Sequence, residues 1–273
     1  MMPYPQYIDT HSHLNHPSFK GDWFDIAQRA VANDVWMIIV GYDYESSRRA
    51  VEMAEHFPIG VYASVGVHPR FISGNRGMDS FEKIVKHPKV VAIGETGLDF
   101  TMPQESHYPQ RIMFERFIRL AQENRLPLIL QDHDAHESIV SHLKENKVRN
   151  PGAEIEGLVH HFKGNIDHAA RYKLHGFIPT ITNLLVQSHV HDNKLNNFAD
   201  NDFVVESECV HLVDDEMTRS RPDPQYLANS IDSLAASRGI PSKEFSQLVR
   251  KNALRLFPKI IHSMCVGSRE FLS

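Results

Sequence analysis

Short apolar runs alternate with amphipathic stretches along almost the whole chain. Residues 35–40 (VWMIIV) are continuously apolar, which is typical of a parallel strand that is buried on both faces. Residues 110–124 instead place Phe114, Phe117 and Ile118 on one stripe of a helix. The pattern therefore predicts β-strands that alternate with α-helices.

Eight strands can be read from this rhythm. The predicted strands cover residues 7–10, 35–40, 61–67, 90–93, 128–130, 157–160, 177–178 and 203–205. The predicted helices cover residues 21–31, 45–55, 81–86, 110–124, 135–145, 166–174, 224–237 and 242–256, the last with Ser242 as its cap. Because no Pro/Gly/Ser-rich linker interrupts the series, we predict a single-domain α/β protein, a (β/α)8 TIM barrel. We expect the barrel to span residues 1–260 and a C-terminal tail to span residues 261–273.

The composition is that of an ordinary globular protein. The 273 residues suffice for one large barrel, and they are 41% hydrophobic and 23% charged. A formal net charge of −5 argues against a strongly basic nucleic-acid scaffold, but it is compatible with a nuclease that carries a metal charge. The two cysteines, Cys209 and Cys265, form no disulfide framework, and no apolar run reaches the length of a membrane span. These features predict a cytoplasmic protein.

Candidate chemistry first appears at the end of the first predicted strand. In the segment IDTHSHL (residues 8–14), His11 and His13 are two residues apart, so their imidazoles share one face of the strand. Taken alone, they fit two core histidines as well as two metal ligands. Three later predicted strands also end in a ligand-type residue, namely Glu95, His160 and Glu208. Active sites of (β/α)8 barrels lie at these strand ends, so the combined set predicts a metal site.

The same strand ends carry a resemblance to a known family. The motifs are IDTHSHL (8–14), GVHP (66–69), GETGLD (94–99), HHFKG (160–164), ESE (206–208), RPDP (221–224) and NALRLF (252–257). In this order they resemble the TatD-like metal-dependent hydrolases, an amidohydrolase-type barrel family whose members act as deoxyribonucleases. The resemblance runs from about residue 7 to residue 257 and implies a metal-dependent hydrolytic site in a TIM barrel.

The resemblance implies a role for each matching ligand. His11 and His13 would hold one divalent ion. Glu95 would bridge two ions, and His160 would bind the second. Glu208 would bind the first ion and act as the catalytic general base. The implied cofactor is one or two divalent metal ions per chain, with Zn, Mn, Mg and Ni all compatible.

Two motifs depart from the family pattern. Where relatives have a histidine followed two residues later by an arginine, this chain has Gln131 and His133. A neutral amide oxygen binds transition metals more weakly than imidazole does, and loss of the arginine weakens bidentate phosphate binding. At the eighth strand, Glu208 replaces the aspartate of the family's E-T-D motif and places its carboxylate one methylene further out. The change at Gln131 predicts that a second ion is held less tightly than the first.

Four residues are candidates for substrate binding. They are His68 in GVHP, Gln131, His133 and Arg221. His68 could instead cap the end of its strand, and Arg221 could instead clamp the loop in which it lies. No run of alternating aromatic and basic residues predicts a stacking platform for single-stranded nucleic acid.

The leading functional prediction is a divalent-metal-dependent hydrolase that cleaves phosphodiester bonds in DNA with a metal-activated water. One alternative is hydrolysis of a small ester, amide or phosphate, since barrels of this type support many reactions. Another is a non-catalytic relative that keeps the barrel and acts as a binding protein. The expected partner is DNA or a small phosphate or ester substrate, and neither a membrane nor a protein partner is indicated.

Overall fold

Eight parallel strands form the sheet at the centre of the fold. The computed structural model describes residues 4–73, 77–181, 198–207 and 223–263. The strands are β1 (Tyr7–Ser12), β2 (Val35–Val40), β3 (Val61–Val65), β4 (Val90–Asp99), β5 (Leu128–His133), β6 (Gly157–His160), β7 (Phe177–Ile181) and β8 (Val204–Val205). Each strand is hydrogen-bonded to the next one in sequence order, from β1 to β8. The predicted (β/α)8 barrel is therefore confirmed.

Helices lie between successive strands from β1 to β7 and after β8, and they cover the outside of the sheet. In the described part of the chain they are α1 (Trp23–Ala32), α2 (Tyr44–Glu55), α3 (Met78–Ile84), α4 (His107–Asn124), α5 (His136–Arg149), α6 (Ile166–Lys173), α7 (Leu227–Arg238) and α8 (Ser242–Leu256). Residues 258–263 are also helical. None of the helices in the described ranges combines the length and the apolar character needed to cross a membrane.

The start of α8 differs from the prediction that Ser242 caps the helix. Pro241 occupies the cap position, and Ser242 is the first helical residue. The Ser242 hydroxyl donates a hydrogen bond to the carboxylate of Asp232 in α7, so the hydroxyl contacts the neighbouring helix instead of its own backbone.

Strand β4 extends six residues beyond its predicted end at Ile93, as far as Asp99. The additional residues pair with β5, where Gly97 lies opposite Gln131 and Asp99 lies opposite His133. This pairing requires glycine, because the φ angle of Gly97 is +136° and a Cβ there would lie 2.1 Å from the carbonyl oxygen of Gln131. Glycine and polar residues in GETGLD therefore belong to a strand, although their sequence is typical of a loop.

The two faces of the strands pack into separate apolar layers. The larger cluster lies between the sheet and the surrounding helices. A second cluster joins Ile129 and Leu158 to Phe257 and Ile260 at the C-terminal end of the described chain. His160 lies on the same face of its strand as Leu158 and two residues nearer to the carboxyl end. The second cluster therefore fills the barrel beneath the position of His160.

The barrel is closed between β1 and β8 by side chains. Thr10 donates from Oγ1 to the carbonyl oxygen of Val205 at 3.2 Å. Just after β8, Ser207 donates to the buried carboxylate of Asp9, from its backbone N at 3.0 Å and from its hydroxyl at 2.5 Å. These contacts hold the first and last strand ends side by side.

We expect Gly97→Ala to lower the free energy of unfolding by more than about 3 kcal/mol, because the positive φ costs about 1–3 kcal/mol and the clash adds a similar overpacking cost. Urea unfolding in the presence of a chelator measures this without a contribution from bound metal. Gly21 has open space around it, so Gly21→Ala should stay within about 0.5 kcal/mol of the natural protein. Equal stability of the two variants would contradict the close approach of β4 and β5.

Candidate metal centre

Residues in or next to three strands place their side chains around a single carboxylate oxygen. Glu95, in β4, places Oε1 3.0 Å from Nε2 of His11 and 3.7 Å from Nε2 of His13, which directly follows β1. His160, the last residue of β6, places Nε2 3.7 Å from the same oxygen. The rings of His11 and His160 are stacked with their centroids 3.5 Å apart. The structure thus brings together four of the five residues that the sequence predicts as metal ligands, and all four are buried.

Two of the imidazoles are oriented by acceptors behind them. Nδ1 of His13 lies 3.0 Å from the carbonyl oxygen of Val40, and Nδ1 of His160 lies 3.0 Å from Oε2 of Glu206. A carbonyl or carboxylate oxygen only accepts hydrogen bonds, so these partners assign the proton of each ring to Nδ1. The Nε2 lone pairs of His13 and His160 therefore face the site, as a metal ligand requires.

The charges at the centre also suit a cation. Burial raises the pKa of Glu95, but the adjacent His11 outweighs it and holds this pKa well below its usual range. Burial, reinforced by the neighbouring His11, holds the pKa of His160 well below the usual histidine range. At neutral pH the site therefore has an ionised carboxylate beside a neutral imidazole.

The donor set fits a divalent metal ion. Oε2 of Glu95 is buried and makes no hydrogen bond within the described part of the chain. Ligand atoms of His11, Glu95 and His160 all lie within 4.8 Å of one another, and Nε2 of His13 lies 3.0 Å from Nε2 of His11. Deprotonated carboxylate and neutral imidazole are the ligands that divalent transition metals bind.

Three predicted substrate-binding residues lie around this centre. His68 caps the 3-10 turn Pro69–Phe71, because its Nδ1 accepts a hydrogen bond from the backbone N of Arg70 at 3.1 Å. Burial lowers the pKa of His68 to about 4, so its ring is neutral. Gln131 pairs with His160 across the β5–β6 ladder, and its Nε2 lies 3.3 Å from the ring of His133. Capping by His68 is thus observed, and its contact with substrate stays a prediction.

Glu208 and Arg221 lie outside the described residues. The roles predicted for them, a metal ligand and general base for Glu208 and a substrate contact for Arg221, depend on the sequence alone.

The sequence motifs did not predict a role in the site for Glu206 or Arg70. Glu206 was available from sequence as the first carboxylate of ESE, but only the fold shows that it contacts His160. Arg70 follows GVHP and donates from Nε to Oδ2 of Asp99, 29 residues later, at 2.5 Å. The same oxygen lies 3.5 Å from Nδ1 of His133. The structure therefore places a guanidinium and the His133 imidazole against one carboxylate.

Comparisons with known proteins agree with this architecture. The model of the family described as TatD related DNase matches residues 8–258. The chain is 29% identical over 256 residues to the uncharacterized metal-dependent hydrolase YabD of Bacillus subtilis, covering 92% of this chain and 98% of that protein. It is 26% identical over 260 residues to the 3′-5′ ssDNA/RNA exonuclease TatD of Pantoea vagans, covering 92% of this chain and 98% of that protein. Among solved structures, the TatD homologue YjjV of Escherichia coli K12 matches with a TM-score of 0.81 and 24% identity, over 94% of this chain and 99% of that one.

Glu206→Gln should weaken the binding of Zn²⁺ or Mn²⁺ by about 10- to 100-fold, because the amide cannot satisfy all the donors that the carboxylate now accepts. Those donors are Nδ1 of His160, the backbone N of His161 and Oγ1 of Thr180. Competition with a chromogenic chelator measures the affinity. Glu137→Gln, on an exposed carboxylate paired with Arg171, is the matched control and should bind metal as the natural protein does. Unchanged affinity in both variants would contradict an orienting role for Glu206.

We expect Asp99→Asn to lower the free energy of unfolding at pH 7 by about 1.5–3 kcal/mol, the range for hydrogen bonds to a charged group. Burial raises the pKa of Asp99, but hydrogen bonds from His133, Thr101 and Arg70 outweigh it and hold this pKa below its usual range. The stabilisation is therefore present above the unfolded-state pKa of about 3.9 and is lost as the pH falls through the lower folded-state pKa.

Urea unfolding of both proteins at a series of pH values measures this difference. The gap should be constant near neutral pH and should shrink below about pH 4. A gap that stays constant down to pH 3 would show that the Asp99 charge does not stabilise the fold. Asp25→Asn, on an exposed residue of α1, controls for the general effect of removing one carboxylate.

Proposed function

The chain belongs to the TatD-related DNase family, and we propose that it is a divalent-metal-dependent hydrolase that cleaves phosphodiester bonds in DNA. The observation that carries the proposal is the convergence of three imidazole Nε2 atoms on one oxygen of Glu95. His11, His13 and His160 lie at the carboxyl ends of β1 and β6, where (β/α)8 enzymes place their chemistry, and Glu95 lies in the C-terminal half of β4. The names of the relatives, which include a metal-dependent hydrolase and a single-strand exonuclease, support the same reaction class.

We assign the metal ligands by position in the motifs. His11, His13, Glu95 and Glu208 would hold the first ion, and Glu95 and His160 would hold a second ion. When bound, a divalent ion supplies Lewis-acid chemistry, since it makes water acidic near neutral pH and polarises the bond to be broken. The experiment below, which measures metal content per chain with several divalent ions, determines the identity of the metal and whether a second ion binds.

The protein's own groups orient the ligands and move the proton. Val40 and Glu206 hold His13 and His160 with Nε2 toward the site, so that the ligands need not reorganise. Burial of the cluster excludes bulk water, which strengthens electrostatic interactions within it. Glu208 is the proposed general base from its place in the ESE motif, because a carboxylate can accept a proton from water.

We propose that two replacements in the fifth-strand motif, Gln131 and His133, modify this function. Gln131 offers an amide where relatives have a metal-binding imidazole, so we propose that the second ion is held more weakly than the first. His133 stands where relatives have an arginine. Arg70 contacts the same carboxylate as His133, and we propose that its guanidinium supplies the missing positive charge for a substrate phosphate. His68, Gln131, His133 and Arg221 complete the proposed substrate contacts.

The proposal extends to the whole chain. The barrel would form one domain over residues 1–260, followed by a tail over residues 261–273. Ile260 is fully buried in the inner cluster, which supports a boundary no earlier than this residue. A cytoplasmic location is part of the same proposal.

Glu208→Gln should retain the fold and lower metal-dependent hydrolysis by about 10²–10⁴-fold, the usual contribution of a general base. The assay uses short DNA and a panel of small phosphate and carboxylate esters with several divalent ions. Metal content per chain is measured in parallel, so that a lost base can be told from a lost ion. Glu137→Gln, far from the site on α5, serves again as the control.

Cleavage of DNA by the natural protein and its loss in Glu208→Gln would support the proposal. Activity on small esters alone would replace DNA as the substrate and favour the small-molecule hydrolase. Absence of any cleavage with every ion would overturn the catalytic proposal and favour a binding protein that keeps the barrel.

A further inference from the structure

A groove of about 450 Å³ lies between the loop that follows β1, the start of α1 and one face of α2. Leu14, Met53 and Trp23 give it an apolar lining, and Lys20 and Arg49 add two cations. Leu14 and Met53 are buried, whereas Trp23 is partly exposed and both cations are exposed. The groove therefore combines an apolar, aromatic surface with a positively charged rim.

Helical spacing explains the α2 side of this groove. Arg49, Glu52 and Met53 are three and four residues apart, so they project from the same face of α2. His56, directly after the helix, continues this face, and its ring packs edge-on against Trp23 with centroids 5.4 Å apart. The aromatic wall is thus assembled from two segments that are separate in sequence.

The charges of the groove are available for a ligand. Within the described part of the chain, neither Lys20 nor Arg49 forms an ion pair. Glu52 is the one carboxylate in the lining, and it pairs with Arg48 on the outer side of the helix. A polyanion would therefore meet two unpaired cations and one carboxylate whose charge is already offset.

Hydrogen bonds connect the groove to the metal centre. Arg49 donates from Nη1 to the carbonyl oxygen of Asn15 at 2.8 Å. The side chain of Asn15 donates from Nδ2 to the carbonyl oxygen of Val40 at 3.0 Å, and the same oxygen lies 3.0 Å from Nδ1 of His13. Asn15, which lines the groove, is therefore two hydrogen bonds away from the predicted metal ligand His13, through the carbonyl oxygen of Val40.

We propose that this groove binds one nucleotide of a single-stranded nucleic-acid substrate, with its base against Trp23 and its phosphates beside Lys20 and Arg49. The inference rests on the proposed nuclease function for its substrate class. Base–aromatic stacking and cationic contacts to the backbone are the two elements of single-strand binding. A duplex keeps its bases stacked on each other, so only a single strand can present a base to Trp23. The volume lies within the roughly 300–1,000 Å³ typical of ligand pockets.

Another groove on the described surface does not share these properties. A space of about 570 Å³ between α4 and α5 is lined by Glu115, Glu123 and Glu145 as well as by Arg119 and Arg149. Arg149 is already paired with Glu145 at 2.7 Å, so this lining has a net negative character that disfavours a nucleic-acid strand.

Tryptophan fluorescence tests the base contact without any hydrolysis. The chain has two tryptophans, and Trp36 is 4% exposed, so a stacking ligand can reach only Trp23. With a chelator present, a short single-stranded oligothymidylate should quench the emission of the natural protein, and the quenching should be lost in Trp23→Phe. Trp23→Leu should weaken binding by about 5- to 150-fold, as measured by the anisotropy of a labelled oligonucleotide.

The salt dependence of oligonucleotide binding tests the phosphate contact. Lys20 is suited to this test because it is exposed, so its replacement leaves the core intact. Lys20→Ala should reduce the slope of log binding constant against log salt concentration by about 0.7, the value for one phosphate contact to a single strand. Lys147→Ala, on an exposed lysine of α5, is the matched control and should keep the slope of the natural protein.

The outcomes separate this inference from the proposed function. Quenching that is lost in Trp23→Phe, together with the smaller slope in Lys20→Ala, supports the groove even if no DNA is cleaved, in which case only the proposed function fails. Equal affinity of the natural protein, Trp23→Leu and Lys20→Ala overturns the groove even if DNA is cleaved. Equal quenching by a duplex of the same sequence overturns the single-strand assignment.

Discussion

The arrangement of the whole site depends on one oxygen atom, Oε1 of Glu95, to which three imidazoles point. The surroundings of this buried cluster stabilise an ionised Glu95 carboxylate beside a neutral His160 imidazole. The rest of the barrel holds the residues of this cluster together. Parallel strands bring their carboxyl ends to one edge, and the bonds of Asp9 to Ser207 close that edge into a ring.

Much of the fold and several ligands could be predicted because their signals are local. Strand β2 is a continuous apolar run, and His11 and His13 share a face through simple alternation. The end of β4 could not be predicted in the same way. Its glycines are typical of a loop, and only the close approach of Gly97 to Gln131 explains why a strand needs them. The local composition there favours a loop, but tertiary packing makes the segment a strand.

Other features could not be predicted from the sequence because they depend on contacts between segments that are distant along the chain. Arg70 has no motif of its own, and its position against Asp99 follows from the β4–β5 edge. The groove lined by Trp23 is formed by the loop after β1, the start of α1 and α2, so aromatic and basic residues that are adjacent in space do not alternate in sequence. A linear pattern therefore gives no signal for a surface of this kind. Ser242 shows the opposite case, since a good local cap signal loses to a carboxylate on the neighbouring helix.

The two oriented imidazoles differ in how easily evolution can disturb them. His13 is held by a backbone carbonyl, that of Val40, which every amino acid at that position would supply. His160 is held by the side chain of Glu206, which a single codon change removes. Substitution of Val40 would thus leave the hydrogen bond to His13 in place, whereas substitution of Glu206 would remove the one to His160. Substitution of a supporting residue should therefore disturb the orientation of His160 more readily than that of His13.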